Sequence, residues 1–157
     1  MFTKIVWATD GSEAADRALE GAKALALAAH GTLVVVHCKE MLTGRAGGYP
    51  VLADEDELVD KARTQADDLR AEGIDVRLEL ATATVSGAAH AIADVAGELG
   101  ADVIVVGTCG HTPVAGLLLG SVTQRLLHIA PCPVLAVPPV KGAHVVERRE
   151  EEAVVAK

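Results

Sequence analysis

A chain of 157 residues, half of them hydrophobic, is the size of one domain and can bury a sizeable core. Its formal net charge of -8 and its three aromatic residues, Phe2, Trp7 and Tyr49, argue against nucleic acid and anionic membranes as partners. An acidic surface repels polyanions, and single-stranded nucleic acid needs several exposed rings to stack on. The odd set of cysteines, Cys38, Cys109 and Cys132, has neither C-x-x-C spacing nor a neighbouring histidine pair, so a disulfide framework and a structural zinc site are both unsupported.

Met-Phe-Thr-Lys runs straight into a strand-like run, without the features of a signal peptide, and no apolar stretch reaches the ~18 residues of a membrane helix. The expectation is a reduced, soluble, cytoplasmic protein. The first apolar run is Ile5 to Ala8. A helical stripe follows, with Ala15, Ala18, Leu19, Ala22, Leu25, Ala26 and Ala29 on one side and Glu13, Asp16, Arg17, Glu20 and Lys23 on the other. Gly31 reads as its stop signal. The second run is Leu33 to Val36. Leu42 to Pro50 holds three glycines and a proline without periodicity, which predicts a loop. The next helix opens on Asp54, Glu55, Asp56 and Glu57, which suit the positive end of a helix dipole. Its predicted inner face is Leu58, Ala62, Ala66 and Leu69, and Gly73 ends it. In the third run Val76, Leu78 and Leu80 alternate with Arg77 and Glu79, so one face meets water. A helix built on Ala89, Ile92, Ala93 and Ala96 stops at Gly100. The fourth run is Val103 to Val106. A short helix then turns Val122, Leu126 and Ile129 inward and ends at Pro131. The fifth run is Val134 to Val137.

Strands alternating with helices predict βαβ units. Runs that are apolar on consecutive residues are buried on both faces, whereas the alternating third run suits an edge. The expected fold is α/β: a single doubly wound five-stranded parallel sheet of order 3-2-1-4-5 with helices on both faces. Residues 1–140 form the domain, and residues 141–157 form a charged tail whose run Glu147 to Glu152 is solvated. The fifth run is an uncharged edge. Such an edge invites pairing with a second copy of the chain through Val134–Val137; the other reading is that the tail from Pro139 folds over it.

In a sheet of this order ligands bind beyond the strand ends where the order reverses, between the first and fourth strands. Thr9-Asp10-Gly11-Ser12 follows the first strand, and Gly107-Thr108-Cys109-Gly110 follows the fourth. Glycines at 107 and 110 would allow positive φ and leave room for a phosphate against the backbone. Gly120 and Ser121 open a helix whose free amides and dipole favour an anion. Read alone, the glycine loop is equally a simple turn, Asp10 a turn residue bonding its own backbone, and Ser121 a helix-start residue. His37, which ends a strand, reads as a core or pocket-rim histidine. Cys38 and Cys109 read as buried small hydrophobes near the pocket. The chain lacks Gly-x4-Gly-Lys-Ser/Thr, Gly-x-Gly-x-x-Gly after the first strand, and Gly-x-Ser-x-Gly. It is therefore neither a P-loop ATPase, nor a dinucleotide fold of that kind, nor a hydrolase of the nucleophile-elbow type. With no base placed beside a nucleophile, no reaction is argued and the protein is read as not an enzyme.

Gly107, Gly110, Gly120 and Ser121 stand in the pattern Gly-x2-Gly-x9-Gly-Ser/Thr, which resembles the nucleotide-binding signature of the ATP-binding universal stress proteins. Lys4-Ile5-Val6 through Ser12, Val36-His37-Cys38, Gly120 to Thr123 and Ala130 to Leu135 are similar to that family too, so the likeness spans roughly residues 3 to 138. It implies a stress-response regulator that holds ATP, or ADP or AMP, and dimerises through its last strand. Asp10 and the backbone at Cys38 would hold the adenosine. Gly107, Thr108, Gly110, Gly120, Ser121 and Thr123 would hold ribose and phosphates, with Mg²⁺ or Mn²⁺ kept mainly by the phosphates. Ala8, Thr9, His111 and Val122 complete the candidate site; His111 could touch phosphate or sense pH, but reads first as a solvated loop histidine. The switch would be read by a protein partner that the sequence does not identify. Members of the family often carry a basic residue in the nine-residue spacer; His111 to Leu119 holds no lysine or arginine, which leaves amides, a metal ion and Arg45 or Arg125 to meet the phosphates. A dimeric interaction protein without nucleotide is the alternative. A weak ATPase, or a protein phosphorylating itself on Ser121 or Thr123, is the third reading.

Overall fold

The structure, a computed structural model, describes residues 2–44, 47–50, 54–83, 87–110 and 119–139. The elements are β1 (Lys4–Thr9), α1 (Glu13–Ala29), β2 (Thr32–Gly44), β3 (Gly47–Pro50), α2 (Glu55–Ala71), β4 (Asp75–Ala83), α3 (Ala88–Leu99), β5 (Val103–Gly107), α4 (Ser121–Ile129) and β6 (Val134–Val137). β1 lies between β2 and β5, β4 pairs with β2, and β6 pairs with β5, all in parallel. Counting only these five strands, the order is 3-2-1-4-5, as expected. The charged tail from Lys141 falls outside the described residues.

Each central strand serves two cores. Ile5, Trp7, Leu33, Val35, Val103 and Val105 point to the face covered by α1 and α2. Val6, Ala8, Val34, Val36, Ile104 and Val106 point to the face covered by α3 and α4. Burial on both faces is why these runs are continuously apolar. β4 shows the edge pattern: Val76 is buried, while Arg77, Glu79 and Leu80 are exposed. Alanines line the inner faces of α1 and α3, so both helices lie close on the sheet.

Several expectations need correction. Within the expected loop Leu42 to Pro50, residues 42–44 and 47–50 are strand, and residues 45–46 lie outside the described residues. β2 continues to Gly44, and Met41 to Gly44 pair antiparallel with Gly47 to Pro50 as a hairpin. Met41, Leu42 and Thr43 tolerate extended backbone, and doubling back satisfies their amides and carbonyls without any hydrophobic period. α1 ends on His30, which takes the left-handed conformation (φ 49°). Gly31 serves another purpose: a Cβ there would sit 2.4 Å from Thr3 O, where the chain enters β1. On α2, Val59 rather than Leu58 is fully buried, because the inner stripe runs Glu55, Val59, Ala62, Ala66 and Leu69.

The start of β1 is clamped by Asp102, whose Oδ2 accepts from Thr3 N (2.8 Å), Thr3 Oγ1 (3.0 Å) and Lys4 N (2.9 Å). These bonds hold its carboxyl below the usual carboxylate range, the Lys4 amide contributing most. No helix among the described residues is long and apolar enough to cross a membrane.

Candidate functional site

α1 leaves β1 toward one face of the sheet, and α4 follows β5 on the other. Their departure in opposite directions makes the carboxyl ends of these two strands the switch point, where sheets of this order hold their ligands. Ala8 and Thr9 end β1 and are buried. The turn that follows is tied to itself. Thr9 Oγ1 accepts from Gly11 N at 3.1 Å, and Asp10 Oδ1 accepts from Ser12 N at 3.0 Å and Ser12 Oγ at 2.5 Å. Ser12 Oγ in turn accepts from Ala15 N at 3.3 Å and caps α1. Gly11 needs to be glycine because its φ is 78°. Asp10 is therefore a turn residue through Oδ1, while its Oδ2 is aimed at the β5 loop, 2.7 Å from where a Cβ on Gly110 would stand.

The expected conformational role of Gly107 and Gly110 is not what the structure shows. The described glycines with positive φ are Gly11, Gly73, Gly87 and Gly100. A Cβ on Gly107 would lie 2.7 Å from Ala14 C and 2.8 Å from Ala14 Cβ. Gly107 thus admits the first turn of α1, and Gly110 admits the Asp10 carboxylate. Thr108 is buried and braces the loop: its amide donates to Val137 O (2.9 Å), and its carbonyl accepts from Gly120 N (2.6 Å). Gly120 caps α4 with extended backbone and no side chain. Among the described residues no side chain caps the amides of Ser121, Val122 and Thr123, which open the helix at the positive end of its dipole. Ser121 is exposed. Thr123 is buried, and its hydroxyl donates to Gly107 O at 2.7 Å, which fixes the strand end.

A Cβ on Gly110 would lie 2.7 Å from Asp10 Oδ2 and one on Gly120 would lie 3.7 Å from Gly110 N, so Gly110 neighbours both the Asp10 turn and the start of α4. Cys38 lies one residue past the last β1–β2 pair, Thr9 with His37. Thr32 N donates to Thr3 O. Because a parallel strand turns its amides alternately to its two neighbours, Cys38 turns its backbone to the β1 side. Cys109 is half-buried, its Sγ 3.6 Å from Thr108 Oγ1. His111, most of the spacer and Arg45 fall outside the described residues, and Arg125 is exposed on α4.

Sequence reasoning missed the polar contacts behind the turn. His37 is 2% exposed and Glu55 4%. His37 Nδ1 donates to Thr9 O at 2.9 Å, and its Nε2 meets Glu55 Oε1 at 2.6 Å. Lys61 Nζ donates to Gly11 O (2.7 Å) and Asp16 Oδ2 (2.6 Å). A strand ending in histidine and a glutamate opening a helix were the available signals, but nothing local pairs them.

Doubly wound α/β sheets bind their ligands at the switch point, and here the Asp10 turn and the start of α4 stand there. The family model described as "Universal stress protein family" matches residues 1–138, and the chain belongs to that family. It is 39% identical over 140 residues to the universal stress protein in the QAH/OAS sulfhydrylase 3′ region of Thermus aquaticus, covering 87% of this chain and 99% of that one. The structure of a universal stress family protein from Burkholderia pseudomallei is similar at TM-score 0.63 and 31% identity, over 87% of this chain and 96% of that one. A universal stress protein solved in complex with cAMP is similar at TM-score 0.63 and 27% identity, over 88% and 98%.

Proposed function

We propose that this protein is a stress-response switch that holds an adenine nucleotide (ATP, ADP or AMP) at the switch point between β1 and β5. The observation that carries the reading is the start of α4, to which the described residues bring no side-chain cap, near the Asp10 turn that Gly110 admits. Helix amides suit phosphate, and a carboxylate suits ribose hydroxyls. The cAMP complex of a relative supports an adenine ligand. Between Arg77 and Arg125 the chain has no lysine or arginine. Mg²⁺ or Mn²⁺ arriving with the phosphates would supply the countercharge. The hydroxyls of Ser12 and Thr123 are spent on Asp10 and Gly107 O, which favours a binding switch over a catalyst. The working form is a homodimer paired along β6, an edge without charged residues whose Leu135 is 42% exposed.

Calorimetric titration with Mg·ATP and with AMP tests the ligand. Wild type releases heat, and Gly110→Ala, whose methyl would displace the Asp10 carboxylate, binds at least tenfold more weakly. Equal heats for the two proteins would overturn the reading. Native mass spectrometry of gently purified protein offers a second check through a co-purified adenine nucleotide. Sedimentation at micromolar concentration tests the dimer, which a monomer would exclude.

A further inference from the structure

Apart from its apolar stripe, α2 holds the β1–α1 turn by polar contacts, and they bracket Asp10. From its first residue, Glu55 reaches His37 Nε2, and the same ring holds Thr9 O. Thr9 O can only accept, so Nδ1 is the donor there, and Nε2 stands 2.6 Å from Glu55 Oε1. Farther along α2, Lys61 holds Gly11 O and Asp16 Oδ2, and Gln65 Nε2 donates to Asp16 Oδ1 at 2.9 Å. Of the carbonyls on either side of Asp10, Gly11 O is thus held directly from α2 and Thr9 O through His37 of β2, which Glu55 of α2 contacts, while Asp10 itself faces Gly110.

We propose that His37, Glu55 and Lys61 are positioning residues for the nucleotide: through the Thr9 and Gly11 carbonyls they hold the Asp10 turn in its binding conformation, so that occupancy of the nucleotide site and docking of α2 are one coupled equilibrium. This rests on the adenine-nucleotide reading above. A ligand that favours the held turn tightens α2, and loosening α2 weakens the ligand by the same factor. α2 is then the element that changes between the empty and occupied protein.

The molecule supplies a matched control. Lys23 on α1 pairs with Glu72 at the far end of α2. Lys61 also ties α1 to α2, but it alone touches the turn. Calorimetry with AMP on folded Lys61→Met, Lys61→Arg, Glu55→Ala, Glu55→Gln and Lys23→Met, each checked by circular dichroism and melting temperature, separates positioning from plain support. Lys61→Met and Glu55→Ala are expected to weaken AMP about tenfold, within the usual range of coupling between sites. Lys61→Arg and Glu55→Gln keep a hydrogen-bonding partner and stay within about twofold of wild type by the same reasoning. Lys23→Met lowers the melting temperature without changing affinity. Amide exchange over residues 55–61 slows on adding AMP to wild type, and this slowing is lost in Lys61→Met. If wild type binds AMP and Lys61→Met and Glu55→Ala bind it equally well, the positioning role is wrong and the nucleotide reading stands. If wild type binds no adenine nucleotide, both are wrong.

Discussion

At two positions one methyl group would collide with backbone. A Cβ on Gly107 meets Ala14, and one on Gly31 meets Thr3 O. Gly107→Ala and Gly31→Ala should each cost about 1–3 kcal/mol in urea denaturation, because either an element or the entry to β1 must shift. An alanine at Gly107 therefore reports packing of α1 before it reports any ligand. The second residue-scale effect is electrostatic. The three donors on Asp102 lower its folded pKa, so its contribution is present above the unfolded carboxylate range and is lost as pH falls through the folded value. The stability gap between wild type and Asp102→Ala, read as a urea midpoint, should be full near neutral pH and close as the solution is acidified. Lys23 has the opposite sign. Its hydrogen bond to Glu72 raises its pKa, so the stabilisation holds below the ordinary lysine value of 10.5 and is lost as pH rises through the folded value.

Among the elements, α4 shows how much a short helix can organise. Its Thr123 hydroxyl holds Gly107 O, its cap Gly120 holds Thr108 O, and Leu126 fills the core beneath. Thr123→Val keeps the shape but leaves the Gly107 carbonyl without this donor. It should destabilise by roughly 0.5–1.5 kcal/mol, measurable by thermal melting. The strands and helices themselves were legible because burial imposes a period: two-sided burial made β1, β2 and β5 continuous, and one-sided exposure made β4 alternate. The hairpin of β2 and β3 was not legible, since main-chain pairing leaves no hydrophobic trace. Neither was the exchange of Leu58 for Val59, which depends on a one-residue rotation of the stripe. In the site, the spacing of Gly107, Gly110, Gly120 and Ser121 could be read, but the neighbours that demand glycine could not. The Glu55–His37–Thr9 contacts join residues far apart in the chain and became visible only once β1, β2 and α2 were placed.

For the molecule as a whole, charge is the governing quantity. A net charge of -8, with no lysine or arginine between Arg77 and Arg125, leaves a polyphosphate short of countercharge. Chelating divalent ions should therefore weaken ATP much more than AMP, a contrast that titrations with and without EDTA would display. Equal loss for both nucleotides would show that the metal serves something other than the phosphate chain.

Trp7 gives this architecture a practical benefit. It is the sole tryptophan in the chain. It is fully buried on β1, and its indole N–H donates to Ala15 O at 3.0 Å, in the opening turn of α1. Indole emission is sensitive to such a bond. Selective excitation should give a label-free optical signal from the strand–helix junction that frames the Asp10 turn, fast enough to time the proposed nucleotide entry in a stopped-flow cell.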